Sequence, residues 1–259
     1  MWIYTKLYFA RGEALERRSE DFLAERFSPL VAELAQAGAI DQMHFLRYVD
    51  EGYHLRLRLK TQAGAAALVH DKLMALAGRG ETMVPATYEA EVAKYGGDAG
   101  VEIAERWFTM SSILALTILK SSSGTAARAA IAQYVLADLL ARITSELEAQ
   151  RALLRQYRAI WTSYATVPAE IEPTRPLPSA FEAPLADWTR ACRRVETAYR
   201  ALAADGRLTA PLASILLNVA HLLNNRIGLG PAYELALADR LLAHVHSYAN
   251  AHAHVHDAG

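Results

Sequence analysis

From Tyr53 to Lys60 the chain alternates without a break: Leu55, Leu57 and Leu59 take one set of positions, and His54, Arg56, Arg58 and Lys60 the other. A period of two puts the leucines on one face of a β-strand and the polar groups on the opposite face. Such a strand cannot stand alone. Its leucine face needs a covering layer, its backbone needs neighbouring strands, and its cationic face needs water or a counter-charge. The stretch Met43 to Val49 lies just before it, across Asp50-Glu51-Gly52, and the two read as a hairpin. Trp2 to Phe9 and Thr82 to Tyr88 are further strand candidates.

Helical periodicity fills the rest. Glu13 to Ala37 carries Phe22, Leu23, Phe27, Leu30, Val31 and Leu34 on one stripe, with Gly38 where a helix ends. Gln62 to Ala77 is alanine-rich and reads as a helix, as does Glu102 to Lys120. After Ser121-Ser122-Ser123-Gly124, with Ser123 or Thr125 as a cap, one long helix is expected from Ala126 to Tyr157. Ser163 to Pro184 holds five of the nine prolines and reads as a loop. Leu185, Trp188, Cys192, Val195, Tyr199 and Leu202 form a core stripe. Ala210 to Arg226 and Pro231 to about Tyr248 are the last helices. The expected fold class is α+β: a small N-terminal antiparallel sheet with helices over 1–100, then a mostly α-helical body over 101–250. The whole reads as one stand-alone domain ending in a His-rich tail, 251–259.

Composition narrows the function. Of 259 residues 53% are hydrophobic and 21% charged, so the chain has material for a core and is not a disordered tail protein. A net charge of -1 gives no global case for direct nucleic-acid or anionic-membrane binding. The longest apolar stretch, Ala210 to Leu223, is interrupted by Ser214, Asn218 and His221 and is too short for a membrane span. One cysteine and no export signal at Met1-Trp2-Ile3-Tyr4 fit a soluble cytoplasmic protein. Walker, dinucleotide, zinc-finger and nucleophile-elbow patterns are absent.

Three polar clusters remain. His54, Arg56 and Arg58 share a strand face, which is either solvated or an anion or oxyanion site, to which arginine's fork of donors is suited. Glu91 and Lys94, three apart and followed by Tyr95-Gly96-Gly97, form either an exposed ion pair or a grip on a zwitterion. Asn218, His221 and Asn225 share a helix face, with Arg226 next; the histidine is either a satisfied core residue or a general base with a fixed tautomer. Five of the nine histidines, His244, His246, His252, His254 and His256, lie in the tail, at a spacing that suggests a frayed polar end with incidental metal affinity.

In order along the chain, these clusters resemble the C-terminal domain of lanthipeptide dehydratases, the thiopeptide-type bacteriocin biosynthesis domain. The carriers are Phe45-Leu46-Arg47-Tyr48, Gly52-Tyr53-His54-Leu55-Arg56-Leu57-Arg58, Tyr88-x-x-Glu91-x-x-Lys94-Tyr95-Gly96-Gly97, Glu105-x-Trp107-Phe108 running to Ser112, and His221-x-x-x-Asn225-Arg226. The likeness extends from Trp2 to about Tyr248.

The resemblance implies a maturation enzyme for ribosomally made peptides. It would eliminate glutamate from glutamylated Ser or Thr of a precursor peptide, leaving dehydroalanine or dehydrobutyrine. A separate tRNA-dependent protein would do the glutamylation. His221 matches the family's elimination histidine, and Arg56 and Arg58 its arginine pair. One arginine would stabilise the enolate and the other would hold the glutamyl carboxylate. Glu91 would hold the glutamyl ammonium, and His54, Lys94, Asn225 and Arg226 would help to bind substrate. No cofactor or metal is implied, and a homodimer is allowed. Two positions depart from the family pattern: Lys94 replaces an arginine and Ser111 an aspartate. Related stand-alone members form a pyridine ring by formal [4+2] cycloaddition between two dehydroalanines. Retention of His221 with Asn225-Arg226 favours elimination. A non-catalytic peptide-binding partner is the remaining alternative.

Overall fold

The computed structural model describes the chain except residues 13, 122–123, 172–176, 178 and 257–259; for 245–256 it describes the backbone only. The N-terminal part is a four-stranded antiparallel sheet in the order β2-β3-β1-β4, formed by β1 (Trp2–Phe9), β2 (Ile40–Tyr48), β3 (His54–Thr61) and β4 (Glu81–Ala86). Helices α1 (Leu15–Asp21) and α2 (Ser28–Gln36), joined by a π-helical turn (Phe22–Phe27), link β1 to β2; α3 (Ala66–Met74) links β3 to β4. This is a split βαβ plan.

The register explains why the sheet has two unlike faces. Leu55, Leu57 and Leu59 lie opposite Leu7, Thr5 and Ile3 on β1, and opposite Arg47, Phe45 and Met43 on β2. The three leucines are fully buried with Phe22, Leu23 and Phe27 in the core. The other face aligns His54, Arg56, Arg58 and Lys60 with Tyr8, Lys6, Tyr4 and Trp2 on one side, and with Tyr48, Leu46, His44 and Gln42 on the other.

The body contains α4 (Asp98–Lys120), α5 (Thr125–Ile143), α6 (Leu147–Thr162), α7 (Glu182–Ala204), α8 (Leu212–Arg226) and α9 (Pro231–His256). The expected stripe on α7 is buried from Leu185 to Leu202, with Trp188 beside Trp107 of α4 at 6.2 Å. Burial pushes the Cys192 thiol up, which keeps it inert.

Several expected boundaries move. The long helix from Ala126 to Tyr157 is two helices, because Thr144 is extended (φ -158, ψ 144). Its hydroxyl accepts the Glu146 N–H and its carbonyl accepts the Gln150 amide, so the break is hydrogen-bonded rather than frayed. Leu147 resumes in phase, which hides the break from periodicity. The helix expected from Gln62 to Ala77 spans only Ala66–Met74, since Gly64 has a positive φ of 80 and ends a turn. Pro184 belongs to the first turn of α7 rather than to the loop. Thr125 starts α5 but Gly124 is its N-cap, with no side-chain bond; Ser123 and Glu13 fall outside the described residues. The backbone of the His-rich end is helical to His256 with a break at His244, not frayed. No described helix is long and apolar enough to cross a membrane.

The sheet is tied to the body along the outer edge of β2. An edge strand exposes unpaired backbone groups that must be satisfied or protected. Here side chains satisfy them. Asn225 accepts the Arg47 N–H at 2.9 Å and donates to the Arg47 carbonyl at 3.0 Å. Arg226 donates to the Phe45 carbonyl at 3.0 Å, and the Ser112 hydroxyl accepts the Phe45 N–H at 3.4 Å. Asn225→Ala removes both Asn225 bonds and leaves two half-buried backbone groups without a protein partner. It is expected to cost about 2–4 kcal/mol, from roughly 1–2 per bond, read from the urea unfolding midpoint. A loss below about 0.5 kcal/mol would show that the edge is held by other contacts.

Candidate functional site

A cavity of about 190 Å³ lies over the polar face of the sheet. Arg56 and Arg58 of β3 and His44 of β2 form part of its floor; Tyr88, Glu91 and Tyr95 come from the segment after β4, and Arg226 from α8. Tight backbone geometry places that segment. Gly96 has φ 87, and a Cβ there would come within 2.3 Å of Leu208 Cδ1. At Gly100 a Cβ would stand 2.0 Å from the Tyr95 carbonyl. Only glycine fits both positions, and the result is Tyr95 against Phe108, with its hydroxyl accepting from Asn218 at 2.6 Å.

The two arginines of β3 are held differently. Arg56 lies 3.4 Å above the Tyr48 ring and donates to Asp50 at 2.8 Å. Buried His54 supports it: Nδ1 meets the Gly52 carbonyl and Nε2 accepts from Arg56 Nε at 3.4 Å. Arg58 sits between the rings of Tyr4 (4.7 Å) and Tyr88 (5.1 Å) and donates to His44 Nε2 at 3.2 Å. It has no carboxylate partner among the described residues, and its Nε is buried without a hydrogen bond.

Arg226 is fully buried and also without a carboxylate partner among the described residues. It donates to Phe45 O and, at 3.0 Å, to Ser111 Oγ, while Nη2 has no partner. Burial lowers its pKa to about 9, with Arg58 adding to the effect and Tyr95 opposing it. His44 is also fully buried; burial first, then Arg58 and Arg226, hold it well below the usual histidine range. Because Arg58 can only donate to Nε2, the His44 proton is on Nδ1, which is buried and unpartnered. Burial likewise pushes the Tyr88 and Tyr95 phenols up. The cavity therefore brings together Arg58 and Arg226, neither paired with a carboxylate among the described residues, Arg56 paired with Asp50, and a neutral imidazole, with Glu89 and Glu91 also in its lining; its guanidinium side favours an anion.

His44 sets a pH dependence of stability. Its folded pKa is depressed, so between the unfolded value near 6.5 and the folded value the unfolded chain binds a proton that the folded chain refuses. Stability is complete above about pH 6.5 and falls as pH drops below it, by at most about 1.4 kcal/mol per pH unit. The paired carboxylates Glu20 and Glu81 also lose stability on acidification, but only through protonation starting near their unfolded value of 4.5. His44→Gln, which keeps an acceptor for Arg58, is expected to flatten the slope of unfolding free energy between pH 6.5 and 5. An unchanged slope would assign it to other groups.

The expected site residues are only partly brought together. Arg56, Arg58, Glu91 and Arg226 line the cavity. Lys94 is exposed and pairs with Glu91 at 3.4 Å, the ion pair that its spacing allowed. His54 and Asn225 lie behind the wall, supporting Arg56 and the edge of β2. His221 is not among the lining residues. It faces α6 and α9, its ring tilted by 32° against Trp161 at 4.4 Å, with Nδ1 2.6 Å from Glu234 Oε1. Its α8 neighbours reach the cavity: Leu222 lines it, and Asn218 holds Tyr95. Sequence reasoning missed His44, Tyr88 as a ring over Arg58, Trp161 and Glu234. His44 could have been found, since it alternates with Leu46 and Tyr48 on β2. Among the described residues no group of three or more His, Cys, Asp and Glu side chains could hold a metal ion.

The fold is a split βαβ sheet joined edge-on to a helical body, with an arginine-lined cavity over the sheet. The chain belongs to the lantibiotic biosynthesis dehydratase C-terminal family, whose model matches residues 2–246. Among solved structures it resembles the tRNA-dependent lantibiotic dehydratase MibB from Microbispora sp. 107891, at 22% identity and a TM-score of 0.64, over 92% of this chain and 27% of that one. It also resembles the pyridine synthase TbtD from thiomuracin biosynthesis (16%, TM-score 0.63, 95% and 99% of the two chains) and TsrL (18%, TM-score 0.58, 94% and 95%). The chain thus spans about a quarter of MibB and nearly the full length of TbtD. A comparison with curated protein sequences finds no match.

Proposed function

We propose that the chain eliminates glutamate from glutamylated Ser or Thr residues of a ribosomally made precursor peptide. The observation that carries this is the pair of guanidiniums, Arg58 and Arg226, that line one cavity and have no carboxylate partner among the described residues. Elimination presents two negative charges, the developing enolate at the amide oxygen and the departing carboxylate, and fixed cations stabilise both. A base takes the α-proton, the C–O bond electrons leave with the glutamyl carboxylate, and the Cα–Cβ double bond forms. The basic nitrogen is assigned to His221 from the family resemblance; it is partly exposed with Nδ1 engaged, on the side of α8 facing α6 and α9 rather than in the cavity lining, so the substrate has to reach both. Arg58 receives the oxygens, with Arg226 adding positive charge and Arg56, already held by Asp50, beside it; Glu91, which pairs with Lys94 in the free protein, would take the glutamyl ammonium. A separate tRNA-dependent protein delivers the glutamylated peptide.

Purified protein incubated with glutamylated peptide is expected to release free glutamate and leave a product one water lighter than the unmodified peptide. Recovery of intact glutamylated peptide would defeat the proposal. A second reading, pyridine formation from two dehydroalanines, is supported by the near-complete coverage of TbtD. It predicts instead that glutamylated peptide is untouched and that a peptide bearing two dehydroalanines is cyclised.

A further inference from the structure

We infer that Glu234 is the positioning residue for His221: it holds the imidazole as the Nδ1–H tautomer and leaves Nε2 as the proton acceptor. This rests on the reading of His221 as the base. The two carboxylate oxygens of Glu234 have different partners. Oε2 takes the Tyr157 hydroxyl and, at 3.2 Å, the Asn224 amide. Asn224 also donates to the Tyr157 oxygen at 3.4 Å, which turns the phenolic proton toward the carboxylate. Oε1 is left for His221, and an ionised carboxylate only accepts, so Nδ1 at 2.6 Å must donate. A neutral imidazole has one donor and one acceptor; with Nδ1–H committed, Nε2 carries the lone pair.

The surroundings fix the pair rather than merely fill space. Glu234 is only 1% exposed and lies in the first turn of α9, where the helix dipole favours negative charge. Trp161 holds the plane of the His221 ring. When Nε2 accepts a proton, the imidazolium forms against a carboxylate already in place. A second tie between the same helices, Arg158 to Asp239 at 2.5 Å, keeps α6 on α9 independently of Glu234.

Glu234→Gln reverses the arrangement without changing its shape. Tyr157 and Asn224 both present donors to the Oε2 position, so the glutamine oxygen turns there and its NH₂ faces His221. Nδ1 must then accept, and the ring becomes the Nε2–H tautomer, with no base to offer. The experiment is the imidazole ¹H–¹⁵N correlation spectrum of the ¹⁵N-labelled protein, with the His221 signals assigned by their loss in His221→Ala. Wild type is expected to show His221 protonated at Nδ1, Glu234→Gln to show it protonated at Nε2, and Tyr157→Phe to keep the wild-type pattern. Turnover of glutamylated peptide is expected to fall at least ~100-fold in Glu234→Gln, with partial recovery in Glu234→Asp. Wild-type His221 protonated at Nε2, or an unchanged tautomer in Glu234→Gln, would overturn the inference. If the tautomer switches as stated while wild type eliminates no glutamate, the positioning role stands and the elimination reading falls.

Discussion

Arg58→Gln is expected to lower single-turnover elimination from a glutamylated peptide by roughly 10²–10³-fold, with little loss of stability. The side chain has ring contacts and one bond to a neutral histidine, but no counter-ion among the described residues, so its charge does little for the fold. Uncompensated charge in a cavity of about 190 Å³ is retained at a cost unless an anion meets it. Glutamine keeps a donor for His44 and removes the charge. Arg58→Lys keeps the charge and loses the fork, so an intermediate loss is expected. Arg56→Gln offers the internal contrast: Arg56 already has Asp50 as partner, and its substitution should weaken turnover less. Arg58→Gln turning over within threefold of wild type would remove the cavity from the chemistry.

Ser111→Asp is expected to stabilise the protein by about 2 kcal/mol, or about 4–8 °C in melting temperature. Ser111 Oγ already accepts from Arg226 Nη1 at 3.0 Å, while Nη2 of the same guanidinium has no partner. The desolvation of Arg226 is present in the wild type, as its pKa near 9 records. A carboxylate at position 111 would add the missing charge and engage both nitrogens. The aspartate expected here from the family resemblance would have done this; the serine leaves Arg226 cationic toward the cavity. The same substitution should therefore weaken binding of free glutamate, followed as the rise in melting temperature on adding it. A lowered melting temperature with glutamate protection intact would contradict the argument.

How much of this was legible depended on whether the signal was local. Leu55, Leu57 and Leu59 announced a two-faced strand, because side-chain direction in a strand follows from position alone. The stripe from Leu185 to Leu202 was equally plain, and every residue of it is buried. The break at Thr144 was not, because Leu147 returns to the same face after three non-helical residues, and periodicity reports phase, not continuity. In α8 the spacing put Asn218, His221 and Asn225 on one face. The helix divides them: Asn218 meets Tyr95, Asn225 meets Arg47, and His221 turns to Glu234.

The sequence by itself determined the α+β class, the cationic strand face, the core stripes, and the residues carrying the family pattern, since each follows from periodicity or from ordered short motifs. It could not say whether the arginines were neutralised, because a counter-charge can come from any element; the tertiary structure gives Asp50 to Arg56 and, among the described residues, leaves Arg58 and Arg226 without a carboxylate. Nor could it find the partner of His221. Glu234 is 13 residues away on another helix, and Tyr157 is 77 residues from Glu234. Only the packing of α6, α8 and α9 brings the three together, and only that contact decides which imidazole nitrogen is free.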